Sequence, residues 1–524
     1  MLGNRDRQSS LLRSKSLLGE KSVERMGVYG KVSEESFRVF RDEDFAFGYC
    51  LERGRPSCPP SLLATARLLQ HYAGISDAEV VDRCRYDLRW KVALDLDLAS
   101  TSAPFTKSTF QLFRSRLSLH EKEGLIFERS VTLAAKAGLL PKKLEIALDS
   151  SPVRGRGAVK DTFNLLSDAI LKVLRSVASA EGCTLLEAAA KMGLERHVEA
   201  TSIKGSVALD WTNSAAVASF LSTLVEDCER ALALAAESGV STSEVSLLEK
   251  ILEQDIEPGK ADQPPTLRRG VAKDRVVSAT DPEMRHGRKS SGSRYDGHKA
   301  HVAVDTKSGV ITAIDASSPG EPDGAQVQSL LHQTKKNTAL EVTSALGDCA
   351  YSSAEAARQA KEEGANLKTR MPSSRKGIFG PAAFTVSEDG SQAQCPAGHS
   401  SHRHAKHANG NAKGIQHRWT QEQCSACPLR DQCTKGKRRT LFVRSDFHER
   451  RRREEHAKSP QGLMELRRRV KAEHAIARLK NLGAGVARYF GRAKTRAQWL
   501  WTAAMANLTL IWKACDASKL PMGQ

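Results

Sequence analysis

From residue 298 to residue 371 the chain alternates short β-branched runs with amphipathic stretches, and this alternation narrows its fold more than any other feature. HKAHVAVDT (298–306) and GVITAIDAS (309–317) are alternating or apolar runs rich in Val and Ile, and the Lys-Ser-Gly between them reads as a hairpin turn. Residues 323–337 follow with helical spacing and Asp323 as the opening cap. LEVTSALGD (340–348) is a strand ending in Asp348, SSAEAARQAKEEG a helix, and NLKTRM (366–371) a further strand. The order hairpin, helix, strand, helix, strand predicts an α/β domain on a mixed sheet. Well upstream, LEIALDS (144–150) is another short apolar strand, ending in Asp149 ahead of the Gly-rich loop SPVRGRGAVKDT.

The remaining segments read as helices and loops. Residues 161–255 are rich in Ala, Leu, Glu and Ser at helical spacing, which predicts a helical bundle inserted after the Asp149 strand. Residues 257–298 read as a basic loop. Residues 30–130 are expected to be helical: Leu62, Ala66, Leu69 and Ala73 share a face, Gly74 breaks the helix, and Ser76 with Glu79 forms a capping box for the next one. A third helix follows Lys107, with Phe110, Phe113 and Leu117 on one side. Such a bundle suits DNA contact and dimerisation equally. The first 30 residues are basic, without the apolar core of a signal peptide, and read as a ragged leader. With no run of about 18 apolar residues, the expectation is a cytoplasmic chain that does not cross a membrane.

The chain has 524 residues and a net charge of +19, which points to a polyanionic partner. The excess is concentrated: Lys435 to Arg496 holds 20 basic residues against six acidic ones, a net +14. Its runs Arg450–Arg453 and Arg467–Arg469 are too one-sided for ordinary salt-bridge lacing and are expected to face phosphates.

Asp149 and Asp348 each close an apolar strand. Strand ends take Asp for turn geometry alone, but carboxylates at the ends of adjacent strands can also share a cation. In RRRVKAEHAIARLKN, Arg469, Glu473 and Lys480 are spaced i, i+4 and i+11 and project from one helical face, with Ile476 and Leu479 as a neighbouring apolar stripe. Glu473 is either a salt-bridge partner of the arginines or a third acid beside the two aspartates. Three hard carboxylates would suit two Mg²⁺ or Mn²⁺ ions about 3.5–4 Å apart.

Eleven cysteines in a chain with no secretory signal argue against a disulfide framework. Seven are scattered; Cys395, Cys424, Cys427 and Cys433 cluster as Cys-x28-Cys-x2-Cys-x5-Cys. The four thiolates can hold a structural Zn²⁺, with His399 as an alternative ligand; the other reading is a reduced loop without metal.

These blocks, in this order, resemble the DDE transposases of bacterial insertion sequences. GRPSCPPSLLATARLLQHYAGISDAEVVDRCRYDLRWKVALDLDL looks like that family's helical N-terminal domain, ALDSSPVRGRGAVKDT like the block around its first Asp, and LGDCAYSS, with Tyr351, like the block around its second. DPEMRHGRKSSGSRYDGHKAHVAVD is similar to the block entering the second strand, and TRAQWLWTAAMANLTLI to the closing helix. The third block has the pattern Tyr-x2-Arg-x3-Glu-x6-Lys; this chain has Leu466, Arg469, Glu473 and Lys480, so the tyrosine hydroxyl is missing. Similar transposases also carry a Cys-rich insert before the third acid.

The resemblance implies an α/β, RNase H-like mixed-sheet core with a helical insertion, a helical N-terminal domain and a Cys-rich insert. The corresponding organisation is a leader (1–30), a helical DNA-binding domain (31–135), the first part of the core (140–160), the insertion (161–260), the continued core (261–385), the Cys-rich insert (386–440) and a basic helical end of the core (441–515). It implies hydrolysis at transposon ends and attack of the freed 3′-hydroxyl on target DNA, with Asp149, Asp348 and Glu473 holding two Mg²⁺ (or Mn²⁺). Arg469 and Lys480, with Arg467, Arg468 and Lys471, would contact double-stranded DNA at the ends and target. A homodimer pairing two ends and a nucleoid-associated location follow from the same resemblance. A transposase-derived DNA-binding protein without catalysis, and an RNase H-like nuclease, are the alternatives.

Overall fold

Strand β1 (Lys143–Arg154) runs through the middle of a sheet completed by β2 (Arg285–Ser290), β3 (Ser293–Asp305), β4 (Ile311–Ser317), β5 (Glu341–Gly347) and β6 (Asn366–Thr369). The chain is described by a computed structural model over residues 1–5, 17–259, 263–290, 292–371, 378–409 and 412–519. The order across the sheet is β4-β3-β1-β5-β6, with β2 beside the first residues of β3. β1 is antiparallel to β3 and parallel to β5, and β5 is parallel to β6.

The expected hairpin, helix, strand, helix and strand are all present, with α9 (Val327–Thr338) and α10 (Ala354–Glu362) between the strands; helices are numbered along the chain and the other ranges follow. Two boundaries differ. β1 does not end at Asp149 but continues to Arg154, because β3 keeps pairing with it as far as Gly297. Part of the segment read as a basic loop is β2 and the start of β3. β2 is RHGRKS, a mostly exposed strand with no apolar alternation to reveal it.

Upstream lie α1 (Val28–Val39), α2 (Pro60–Ala73), α3 (Asp77–Tyr86), α4 (Lys107–Leu119) and α5 (Leu125–Lys136). Gly74 closes α2 in the left-handed conformation at φ 69°, and Ser76 and Glu79 form the expected capping box of α3. The expectation of a ragged leader fails where the chain is described: Glu20–Glu24 is helical, Val23 is buried, and the backbone of Leu2 donates to the Cys50 carbonyl at 2.9 Å. Residues 6–16 of that leader lie outside the described residues.

The insertion comprises α6 (Thr162–Glu181), α7 (Ser214–Glu237) and α8 (Ser243–Asp255), with short helices between the first two, around its own apolar core. Its stem is pinned where Asp255 accepts from Arg275 (Nε, 2.7 Å; Nη2, 2.5 Å) and from the Thr162 hydroxyl (2.8 Å). Downstream come α11 (Phe447–Lys458), α12 (Pro460–Arg467), α13 (Val470–Asn481) and α14 (Arg492–Lys519).

The N-terminal helices are not packed apart from the sheet. One continuous core joins Leu63 and Leu69 of α2, Phe113 of α4, Val131 of α5, Val302 and Ile314 of the sheet, and Trp501 and Leu508 of α14. The other sheet face, with Leu148, Val342 and Leu367, is covered by α9 and α10. α14 crosses between the N-terminal helices and β4, and its Asn507 does the work of an absent neighbouring strand. The Asn507 amide accepts from the Ile311 N–H at 2.9 Å and donates to the Ile311 carbonyl at 2.9 Å. No described helix is long and apolar enough to cross a membrane.

Inside the N-terminal helices, Arg67 is fully buried, and burial pushes its guanidinium down to about 10. It donates to Gln70, Asp77 and the Phe110 carbonyl. Burial alone would raise Asp77, but Arg67, Gln70 and Arg114 overcome it and hold the carboxyl at about 2.

Two outcomes are expected. Asp77→Asn leaves Arg67 as an uncompensated buried charge and should cost about 3–5 kcal/mol at neutral pH. Because the native carboxyl is held below its ordinary value, that deficit should be full above about pH 4 and shrink as pH falls towards 2, read as the difference in urea midpoint between wild type and variant. Asn507→Leu strands two buried backbone groups and should lower stability by about 2–4 kcal/mol, read in the same titration.

Candidate active site

α13 is laid on the sheet by a stripe of Ala472, Ala475, Ile476 and Leu479, all buried against β1 and β3. The small alanines let the helix approach closely, which brings its first turn over β1. The basic stretch is not one helix: α12 ends at Arg467, and Arg468 and Arg469 form the junction with helical backbone angles. Arg469 therefore keeps its place one turn before Glu473.

Asp149 lies two residues beyond Ala147, the last residue of β1 paired with β5, and opposite Val302 of β3. Its carboxylate accepts from its neighbour's N–H (Ser150, 2.9 Å). Arg469 Nη1 stands 3.4 Å from Asp149 Oδ2, and Arg469 Nη2 donates to Glu473 Oε1 at 2.5 Å. The guanidinium thus bridges the two acids. Asp348 follows the last residue of β5, Gly347, and caps a short turn by accepting from the Ala350 N–H at 2.8 Å.

The electrostatics place the three acids in one field. Burial pushes Asp149 up to about 6; the Ser150 N–H and Arg469 oppose this, while Asp348 and Glu473 add to it. Burial, with Lys289 nearby, lowers the ammonium of Lys480, and Asp149 pulls it back up. The spacing argument thus holds for Arg469, Glu473 and Lys480, which all act on Asp149.

The other basic residues are placed differently. Arg468 is held by Glu145 of β1, through Nε at 2.6 Å and Nη2 at 2.8 Å. Lys471 lies beside the Gly309 turn, where Arg478 donates to the Gly309 carbonyl at 2.7 Å. Arg467 is exposed.

Around Asp149 is a second layer that sequence reasoning did not assign. Asp323, read only as a helix cap, accepts from the Ser150 hydroxyl and from the Lys299 ammonium, each at 2.7 Å. Tyr351 is fully buried with its hydroxyl unpartnered, and burial together with Asp323, Asp149 and Asp348 drives its phenol far above the ordinary value. The available signal was position: Ser150 adjoins Asp149, and Lys299 is the one lysine of β3.

Among the described residues no three His, Cys, Asp or Glu side chains are gathered closely enough to hold a metal ion. At the acids the reason is visible, since Arg469 stands between Asp149 and Glu473. The donor set itself, three carboxylates, is of the kind that takes hard cations.

The four clustered cysteines are brought to one cavity, though not as a group closed around an ion. Cys395, Cys424, Cys427 and Cys433 line one small cavity of about 20 Å³, with Trp419 and Arg439 around it. Burial raises the Cys433 thiol; Arg439 lowers it and the other three cysteines raise it again. The Arg439 N–H points at Cys424 Sγ at 3.4 Å. His399 also lines the cavity, and its carbonyl accepts from the Cys395 N–H (2.9 Å) and the Trp419 indole (2.8 Å). A three-stranded sheet (Arg403–Asn409, Ala412–Arg418 and Thr440–Arg444) completes this unit.

Residues 30–116 match a family model described as "Transposase domain (DUF772)", and residues 394–512 match one described as "Transposase DDE domain". The second match spans the four cysteines, Arg469, Glu473 and Lys480; Asp149 and Asp348 lie outside both. No curated protein and no solved structure matches the chain. Two transposase models match in order, one over the N-terminal helices and one over the helix that brings Glu473 to β1, and together they support a DDE-type transposase.

Proposed function

We propose that the chain cleaves DNA at the ends of a bacterial insertion sequence and transfers the freed 3′ strand into target DNA, with Asp149, Asp348 and Glu473 as its acids. The observation that carries this reading is the Arg469 bridge between Asp149 and Glu473, beside Asp348 at the end of the adjacent strand. The strand order β4-β3-β1-β5-β6, antiparallel for the first three and parallel for the last three, supports an RNase H-like core.

Asp149, Asp348 and Glu473 would hold two Mg²⁺ or Mn²⁺ ions, which when bound supply activation of a water or 3′-hydroxyl and stabilisation of the leaving oxygen. The residues of the chain do the rest. Arg469 lies between Asp149 and Glu473 and holds them together; turned from them, it would donate to a phosphate of the bound DNA. Lys480, on the same helical face, approaches the same backbone. Asp323 fixes Ser150 and Lys299, and so fixes the strand that carries Asp149. The partner is double-stranded DNA, and two ends held together call for a homodimer.

Asp149→Asn, Asp348→Asn and Glu473→Gln should each lower strand cleavage of end-bearing DNA about a thousandfold or more, the loss of several kcal/mol of charge stabilisation. Duplex binding should persist in all three. Normal cleavage by any one would sink the assignment.

For the cysteines we propose a structural Zn²⁺ on Cys395, Cys424, Cys427 and Cys433, bracing the insert ahead of the Glu473 helix. Purified protein should carry about one zinc per chain, and Cys424→Ser with Cys427→Ser should lose it while lowering the thermal midpoint. Elemental analysis finding less than about a tenth of a zinc per chain would rule the site out.

A further inference from the structure

At the outer edge of the sheet a cavity of about 730 Å³ opens beside β6, between that strand, α10 and α11. Leu367 and Leu466 line it as apolar surface; Lys361, Lys368, Arg452 and Arg453 line it as cations. One carboxylate, Glu449, shares the wall. Leu466 stands where the transposase pattern has tyrosine, three residues before Arg469, so the cavity adjoins the element that carries the active-site arginine.

Several of the basic residues on and beside it are already matched. Arg451 pairs with Glu455 at 3.0 Å, Lys458 with Glu454 at 2.6 Å, and Lys368 with Glu465 at 2.8 Å. His456 also donates to Glu465, at 2.9 Å, and with Lys368 holds that carboxyl at about 2. Arg453 differs. Its Nε, Nη1 and Nη2 are all shut off from solvent and none has a hydrogen-bond partner. Among the described residues no other arginine has all three nitrogens in that state.

A guanidinium stays charged and carries five donors in a flat fork. Removed from water with no acceptor, it is in a costly state that protein interiors avoid. No acceptor is offered inside the fold, and a turn of the side chain would bring the fork into the cavity that Arg453 lines. The fork matches a phosphate. The apolar wall of Leu367 and Leu466 matches a sugar face, and the local excess of positive charge matches a strand of nucleic acid.

We propose that this cavity is a phosphate pocket that takes one backbone phosphodiester of the bound DNA, with Arg453 and Arg452 as donors and the adjoining sugar against Leu367 and Leu466. The inference rests on the reading of the chain as a DNA-acting enzyme and extends the DNA path from Arg469 to the far edge of the sheet.

The test uses the full chain with Arg453→Met and Arg453→Lys. Removing an unpaired buried charge should leave the thermal midpoint of Arg453→Met unchanged or raise it. Duplex affinity should nevertheless fall about five- to tenfold near 150 mM salt, and the slope of log Kobs against log[NaCl] should become shallower by about 0.9, one phosphate contact. Arg453→Lys, which keeps the charge but not the fork, should retain the slope and lose part of the affinity.

An unchanged slope in Arg453→Met overturns the proposal, as does a lowered midpoint with unchanged DNA affinity, which marks a structural arginine. Inorganic phosphate and a deoxynucleoside monophosphate, titrated separately in thermal-shift experiments, distinguish the sources. Stabilisation of wild type by either as strong as by duplex, and lost in Arg453→Met, replaces the DNA assignment with a small-anion site. Asp149→Asn in the same assays keeps the two readings apart: if it cleaves DNA normally while Arg453→Met loses the slope, the catalytic reading fails and the pocket stands.

Discussion

Burial and two neighbouring acids work against a charged Asp149, and the Arg469 guanidinium is the cation that opposes them. It reaches both Asp149 and Glu473 because α13 lies close on β1 and β3, and the helix lies close because the residues under it are Ala472 and Ala475. A bulkier stripe would lift the first turn and part the arginine from the strand. The site is therefore a consequence of helix-on-sheet packing as much as of the acids themselves. Asp149, pushed up to about 6 chiefly by burial, is the part of the arrangement that most needs positive charge.

The sequence reading succeeded where periodicity and side-chain chemistry agreed. The β3–β4 hairpin, the strands after it, the capping box at Ser76 and the face shared by Arg469, Glu473 and Lys480 rest on local spacing, which survives folding. It failed where tertiary pairing overrides local signal. β1 runs on through Pro152 because β3 supplies a partner, and β2 forms from polar residues because β3 offers it an edge. The roles of Asp323 and Lys299 were hidden for the same reason: they meet Ser150 only across the sheet. The split between α12 and α13 left no mark in the composition, since Arg468 and Arg469 keep helical angles through the junction.

The boundary drawn between the N-terminal helices and the sheet is crossed by packing. α14, at the far end of the sequence, buries Trp501 and Leu508 in the same core as Leu63 and Phe113, and its Asn507 completes the backbone of β4. Thr502 and His71 meet across the same contact, at 3.2 Å. Elements from both ends of the chain thus hold one edge of the sheet.

Net charge turns out to be a poor guide to which cations can meet a phosphate. Within the segment that carries +14, Arg451, Lys458, Arg468, Arg469, Arg492 and Arg496 already face carboxylates. An arginine in a satisfied pair must give up that pair to bind DNA, so it contributes less to affinity than its charge implies. An exposed lysine or arginine without a partner contributes its full counterion release. A buried guanidinium without a partner contributes more, because binding also relieves a cost that the folded chain already bears. By that ordering the arginines to weigh first are those the fold leaves unsatisfied, and among the described residues Arg453 is the one it leaves most completely so.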